Sequence, residues 1–460
     1  MNPRSRKRST AAAAAGLGVL VALSGCASAE EAGGGGGGGE DVTSAAIDCE
    51  QFEQFGDVDG TEVEVYTTIV APEDQPFLDT FAPFEECTGI TVNYNGSKQF
   101  EAQLPVRVQS GNAPDIAFLP QPGLLARMVE TGEVVEPPQA VVDQVDDNWS
   151  EDWKGYGTVD GTFYAAPLGA NIKSFVWYSP SAFEEAGYEV PETWDDMIAL
   201  SDQIIADNPD VKPWCAGIGS DAATGWPATD WLEDIVLRTA GPDVYDQWIA
   251  HEIPFNDPQV LAALDQAGQV LKNEDYVNGG LGGVQSIAST LFNDGGIPIT
   301  QGQCFLHRQA SFYQANWPEG TVVAEDGDVF AFPFPEIDPA VGEAAVGGGE
   351  FVAAFSDAPQ VQALQYYLAT AEWANLKAQA SGPGWVSSNL GLDPENLESP
   401  IDQLVAEQFQ NPDLTFKFDA SDLMPAAVGS DAEFKQLTEW IASDQSSQAT
   451  VDNIEAAWPQ

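Results

Sequence analysis

Short β-rich runs alternate with helical stretches along most of the chain. "EVEVYTTIV" over 62–70 reads as a strand, Pro76–Cys87 as a helix and "ITVNYNG" over 90–96 as a second strand. Phe100–Ser110 then reads as a second helix and "DIAFLP" over 115–120 as a third strand. Strand, helix, strand, helix, strand predicts an α/β fold with a parallel sheet covered by helices on both faces. Ligands on such sheets bind beyond the carboxyl ends of the strands. Here those ends are Ser97-Lys98-Gln99 and Gln121-Pro122-Gly123.

The pattern changes in "TFYAAPLGANIKSFVWYSPSAF". A strand reaches Pro167, the small residues Leu168–Asn171 follow, and a new apolar strand runs from Lys173 to Tyr178. Thr193, with Asp196 three residues on, is the signature of a helix start. Small residues between two strands suit a hinge, and Pro/Gly-rich joints recur at 336–347 and 380–384. Three crossings predict two lobes, each discontinuous in sequence: 47–168 with 347–380, and 169–336 with 381–460.

Before residue 47 the pattern is of another kind. Arg4, Arg6, Lys7 and Arg8 precede the uncharged, Ala-rich stretch Ala11–Leu23, which is too short for the roughly 20 residues of a membrane-spanning helix. Residues 1–25 read as a signal peptide. Leu23-Ser24-Gly25-Cys26 has the form of a bacterial lipobox, in which Cys26 would be acylated; the plainer alternative is cleavage near Ala27 or Ala29. Gly33–Gly39 would then make 26–46 a flexible tether. The expected location is the outer face of the cell membrane, with no span and with lipid as the only membrane contact.

Charge narrows the partners. The chain carries 72 Asp+Glu against 16 Lys+Arg, a formal charge of −56, and losing the first 25 residues would bring this to about −60. Such a surface repels nucleic acid and anionic headgroups. The acids are scattered among apolar residues, which argues for a folded protein and suggests adaptation to salt. With Cys26 assigned to lipid, Cys49, Cys87, Cys215 and Cys304 remain, and three pairings are open. Cys49 with Cys87 and Cys215 with Cys304 keeps each bridge inside one expected lobe; buried free thiols are the alternative.

Catalytic signatures are missing. His251 and His307 are the only histidines and neither sits in a ligand-like cluster, so neither a metal nor a cofactor is expected. The chain has no G-x-S-x-G, H-E-x-x-H or G-x-x-x-x-G-K-[ST]. Glycoside hydrolysis needs only two carboxylates, and with so many acids their presence in any cleft carries little weight. The reading is therefore of a binding protein and not an enzyme.

The segments "APDIAFLPQPGLL", "NIKSFVWYSPSAFEEAGYEVPETWDDM", "GWPATDWLEDIVLR", "CFLHRQASF", "GGGEFVAAFSD", "GPGWVS" and "FDASDLMPAAV" together resemble the extracellular solute-binding proteins of carbohydrate ABC transporters. The likeness is to the α-glucoside-binding branch, and more distantly to maltose-binding protein. It implies two α/β lobes joined by hinge strands and closing over a sugar. It also implies a permease with a separate cytoplasmic ATPase as partners, and a monomer. A surface adhesin on the same fold, or a binding protein for a polyol, amino sugar or other osmolyte, are the alternatives.

A sugar presents hydroxyls at its rim and C–H bonds on its faces, so its site needs flat aromatic platforms and planar polar groups. Trp226, read as lying in a loop, is a candidate platform, with Asp230 accepting hydroxyls nearby; Trp231 reads as core. Trp385 sits in a Gly/Pro turn, where the family places an aromatic. Arg308 either donates to two hydroxyls or pairs with a carboxylate. Lys98 and Gln121 are placed by the strand-end argument, with Gln99 and Glu101 as weaker neighbours. Glu350 follows three glycines that allow close approach. Asn171 lies at the expected hinge, and Asp422 at the expected rim.

Overall fold

Val63 and Val65 are fully buried while Glu62 is exposed, the period-two pattern of a half-buried strand. That strand, Glu62–Thr67, runs parallel to Thr91–Gly96 on one side and to Ile116–Leu119 on the other. This computed structural model describes residues 47–279, 282–380, 383–411 and 413–459. The expected leader, Cys26 and the glycine tether lie outside the described residues. The expected helices form as Gln75–Thr88 and Phe100–Gln109, and Thr193 caps Trp194–Asp207 in a reciprocal box with Asp196.

The first sheet has six strands. Along one edge of Ala344–Ala354 lie Thr415–Phe418, beside Ala344–Gly347, and Ile116–Leu119, beside Phe351–Ala354; Glu62–Thr67 and then Thr91–Gly96 follow Ile116–Leu119, and Ala165–Ile172 pairs with the other edge of Ala344–Ala354. The second sheet orders Phe330–Pro333, Phe175–Tyr178, Leu306–Arg308, Trp214–Cys215 and Val277–Asn278. Helices flank both sheets, giving the expected two-lobed α/β fold. One disulfide, Cys49–Cys87, stands in the first lobe and the other, Cys215–Cys304, in the second.

Two strands belong to both lobes. Ala165 and Ala166 are buried in the first core and Ile172 in the second, while Ala344 and Val346 are buried in the second core and Phe351 and Ala353 in the first. Thus Ala165–Ile172 is a single strand that passes from one lobe into the other, with an irregularity in its pairing opposite Gly349–Phe351. The expected interruption at Leu168–Asn171 is that irregularity and not a break.

The C-terminal part departs from the expected division. Val386, Leu397, Ile401 and Val405 do pack with the second sheet. Thr415–Phe418, however, joins the first sheet, parallel to Ala344–Gly347, and only beyond Asp419 does the chain settle in the second lobe. Assigning all of 381–460 to the second lobe is corrected by this extra pass. A four-residue strand has too short a period to stand out from its surroundings.

Candidate functional site

A cleft of about 540 Å³ lies between the lobes. Its first-lobe wall includes the strand ends singled out in the sequence. Gln121 precedes the helix Pro122–Val129, is 6% exposed, and its Oε1 has no hydrogen-bond partner among the described residues. Lys98 also lines the cleft and is exposed. Of its weaker neighbours, Glu101 lines the cleft, whereas Gln99 does not.

The crossing strands supply the middle of the wall. Asn171 lines the cleft, and its Oδ1 has no hydrogen-bond partner among the described residues. A Cβ on Gly349 would stand 2.3 Å from the Gly169 carbonyl oxygen, so glycine there lets the two strands close up. Glu350 follows and faces the cleft. Its carboxyl is pushed up to about 7, by burial first and by Glu73 next, against the pull of Lys377. A Cβ on Gly169 would lie 2.5 Å from Glu350 Oε2 and 2.8 Å from Trp385 Nε1, so the carboxylate and the indole nitrogen converge on the space that this glycine leaves open.

Both candidate platforms line the cleft. Trp385 is half-buried, meets Trp373 edge-on at 5.5 Å, and its Nε1 has no hydrogen-bond partner among the described residues. The Lys377 ammonium stands 4.6 Å from its ring and 4.2 Å from that of Phe77. Burial lowers Lys377 to about 7 despite Glu350, Asp402 and Glu73. Trp226 is not in a loop as expected: it is the first residue of the helix Trp226–Ala240. Proline at the next position suits a first turn, because the amide it lacks has no intrahelical acceptor there. The Trp226 ring packs against Phe292 at 5.2 Å and Phe312 at 6.0 Å.

Asp230 and Arg308 do not line the cleft, which corrects their expected contact with sugar hydroxyls. Arg308 Nη1 donates to Asp230 Oδ2 at 3.0 Å, and its Nη2 donates to the Asp230 carbonyl at 2.9 Å and to Asp234. Arg238 Nη1 donates to the other oxygen of Asp234 at 2.5 Å. All four are buried, so the ion-pair alternative for Arg308 is the one realised. Trp231 is core, as expected.

Sequence reading missed the cation in front of this cluster. Lys173 is 7% exposed, lines the cleft, and contacts Asp419, Asp230 at 3.2 Å and Asp422 at 3.8 Å. Burial pushes Asp230 up to about 6 against Lys173 and Arg308. The signal available was a lone lysine opening an apolar strand beside the expected hinge. Also missed was Asn316, whose side chain donates to Glu73 Oε1 at 3.2 Å and so links the lobes across the cleft.

No group of three His, Cys, Asp or Glu residues suited to a metal occurs among the described residues, and none of their helices is long and apolar enough to cross a membrane. Two lobes sharing strands, with aromatic and unpartnered polar groups facing one another across a cleft, define a two-lobed ligand-binding protein. The chain belongs to the bacterial extracellular solute-binding proteins, whose family pattern it matches over residues 66–375. It is 37% identical over 415 residues to the osmoprotective compounds-binding protein GgtB of Synechocystis sp., covering 88% of this chain and 94% of that one. It is 33% identical over 429 residues to the alpha-glucosides-binding periplasmic protein AglE of Rhizobium meliloti, covering 89% of each. Its fold matches the bacterial solute receptor AcbH with a TM-score of 0.72 at 19% identity, over 86% of this chain and 98% of that one. Maltose-bound MalE3 of T. maritima gives 0.68 at 18% identity, over 86% and 98%.

Proposed function

We propose that the chain is the lipid-anchored binding subunit of an ABC importer and carries an α-glucoside or related sugar. The observation that carries this reading is the pair Trp226 and Trp385 in one cleft whose lining also holds polar atoms without a hydrogen-bond partner among the described residues. Each indole offers a sugar its face, and Gln121, Asn171, Glu350 and Lys98 supply hydrogen bonds to hydroxyls. Asp230, itself held by Arg308, acts from behind by pairing with Lys173. Tighter binding to the closed form drives closure, and the closed protein delivers its sugar to a permease served by a separate ATPase. Cys26 and the glycine tether keep the protein at the membrane and raise its local concentration there. The boundaries of the leader at 25 and of the tether at 46 belong to this proposal, as does monomeric action.

The test is a thermal-shift and tryptophan-fluorescence screen of residues 47–460 against maltose, trehalose, sucrose, longer α-glucans, polyols and amino sugars. A ligand at 100 times its Kd adds about 2.7 kcal/mol to stability. A sugar whose fluorescence signal is lost in Trp226→Ala or Trp385→Ala supports the assignment; silence across the sugars from a folded, ligand-free protein sinks it. A second reading, an osmolyte that is not a glycoside, draws on the name of the Synechocystis relative, and polyol hits without sugar hits would favour it.

A further inference from the structure

Part of the second-lobe wall of the cleft is a short 3-10 helix, Ser311–Asn316, from which Phe312, Gln314, Ala315 and Asn316 line the space. Three residues per turn put side chains three apart on one face, so Ser311 and Gln314 look one way and Phe312 and Ala315 another. Ser311 Oγ accepts from the backbone amide of Ile172, in the strand that crosses between the lobes, at 3.4 Å. The Phe312 ring meets that of Trp226 at 6.0 Å. Tyr313 is fully buried against Trp177 and Trp317, and its hydroxyl accepts from the Gly296 amide and donates to the Asn293 carbonyl, which pins the helix to the second core. Asn316, at the far end, donates to Glu73 of the first lobe.

The same helix also holds the other platform, through a buried relay. Gln314 Nε2 donates to Asp402 Oδ1 at 2.6 Å, and Asp402 Oδ2 accepts from the backbone amide of Gly384, the residue before Trp385, at 3.1 Å. Gln314 Oε1 accepts in turn from Ser399. Gln314, Asp402 and Ser399 are all buried, and a buried polar network whose members are all paired is rigid. Gly384 has a φ of +119°, and a Cβ there would stand 3.1 Å from the Phe312 carbonyl oxygen and 3.2 Å from Ala315 Cβ, so glycine lets the turn that presents Trp385 lie flat on the helix. Any displacement of Ser311–Asn316 therefore acts on Trp226 through Phe312, on Trp385 through Asp402 and Gly384, and on the first lobe through Asn316.

We propose that Ser311–Asn316 couples the two platforms to each other and to the first lobe, with Gln314 and Asp402 as positioning residues for Trp385, Phe312 as the positioning residue for Trp226, and Asn316 as the tie to closure. The inference rests on the reading of these tryptophans as platforms, and adds that a ligand seated on one favours the binding arrangement of the other.

The test reads the two indoles with no ligand added. In the full chain labelled with 5-fluorotryptophan, Trp226→Phe and Trp385→Phe assign the two fluorine resonances. Asp402→Asn sets an N–H against one of the two donors that Asp402 now holds, and is expected to shift Trp226 as well as Trp385 by more than a linewidth. Phe312→Leu, made beside Trp226, is expected to shift Trp385 too, because coupling is reciprocal. Asn316→Ala cuts the hydrogen bond to Glu73 and should shift both. Phe312 and Asn316 are only partly buried, so their variants keep a folded protein to read; if the melting curve of Asp402→Asn shows it unfolded, Ser399→Ala, which frees Gln314 Oε1, takes its place. Trp373→Phe disturbs Trp385 from the first core, away from the helix, and should leave Trp226 where it was. A Trp226 resonance unmoved by the Asp402 or Asn316 variant, or a Trp385 resonance unmoved by Phe312→Leu, overturns the inference, and so does a Trp226 shift in Trp373→Phe. Each of these outcomes leaves the sugar reading intact, and silence in the sugar screen leaves the coupling intact.

Discussion

A residue's partners decide what its charge can do. Asp234 accepts from Arg238, Arg308 and Ser174, all buried. Asp234→Ala would leave two guanidiniums without that carboxylate, so an expected loss of about 3–5 kcal/mol should appear in urea denaturation. This network could not be read from sequence, because its members are far apart: Lys173 and Asp419 are separated by 246 positions. Platforms and strand ends were legible because their signal is local. Trp385 beside glycine and proline, and Gln121 just after an apolar strand, each carry their context within a few residues. Asp230 misled for the opposite reason, since its neighbour in sequence, Trp226, faces the cleft while Asp230 itself lies behind it.

At the scale of elements, the glycine run within Ala344–Ala354 separates packing from binding. A Cβ on Gly349 would meet backbone at 2.3 Å, whereas one on Gly348 would meet only the side chains of Lys173, at 3.4 Å, and Asn171, at 3.7 Å. Gly349→Ala should therefore destabilise by more than about 2 kcal/mol, and Gly348→Ala by less than about 1 kcal/mol, as read from melting midpoints. Thr193→Ala removes a cap whose two halves both form, and should cost about 1 kcal/mol by the same measurement. The parallel β-α-β start and this cap were legible because period and capping residues are short-range signals. Thr415–Phe418 was not, since what makes it a strand is its pairing with Ala344–Gly347.

Over the whole molecule, buried acids tie stability to pH. Glu73, Glu350 and Asp402 are held up to about 6, 7 and 7, burial being the main cause, from ordinary values of 4.5, 4.5 and 3.8. Between those limits the folded state keeps protons that the unfolded state has released. The stability they confer is thus full below the ordinary values and is lost as pH rises through about 6 to 7. Lys377, lowered to about 7 from 10.5, acts oppositely above that range. The melting temperature should fall from pH 5 to pH 7, and Glu350→Gln should flatten the fall; a rise over the same interval would contradict the assignment. With a formal charge of −56 the protein should also lose melting temperature on dialysis into low salt, as self-repulsion is unscreened.

The strands Ala165–Ile172 and Ala344–Ala354 stitch one lobe to the other, and Thr415–Phe418 carries the chain back once more. No single cut in the polypeptide can therefore release either lobe whole. A protease that nicks one exposed loop would leave two fragments interleaved through both sheets, migrating together until denatured. Neither half, expressed alone, would have a complete sheet to fold around.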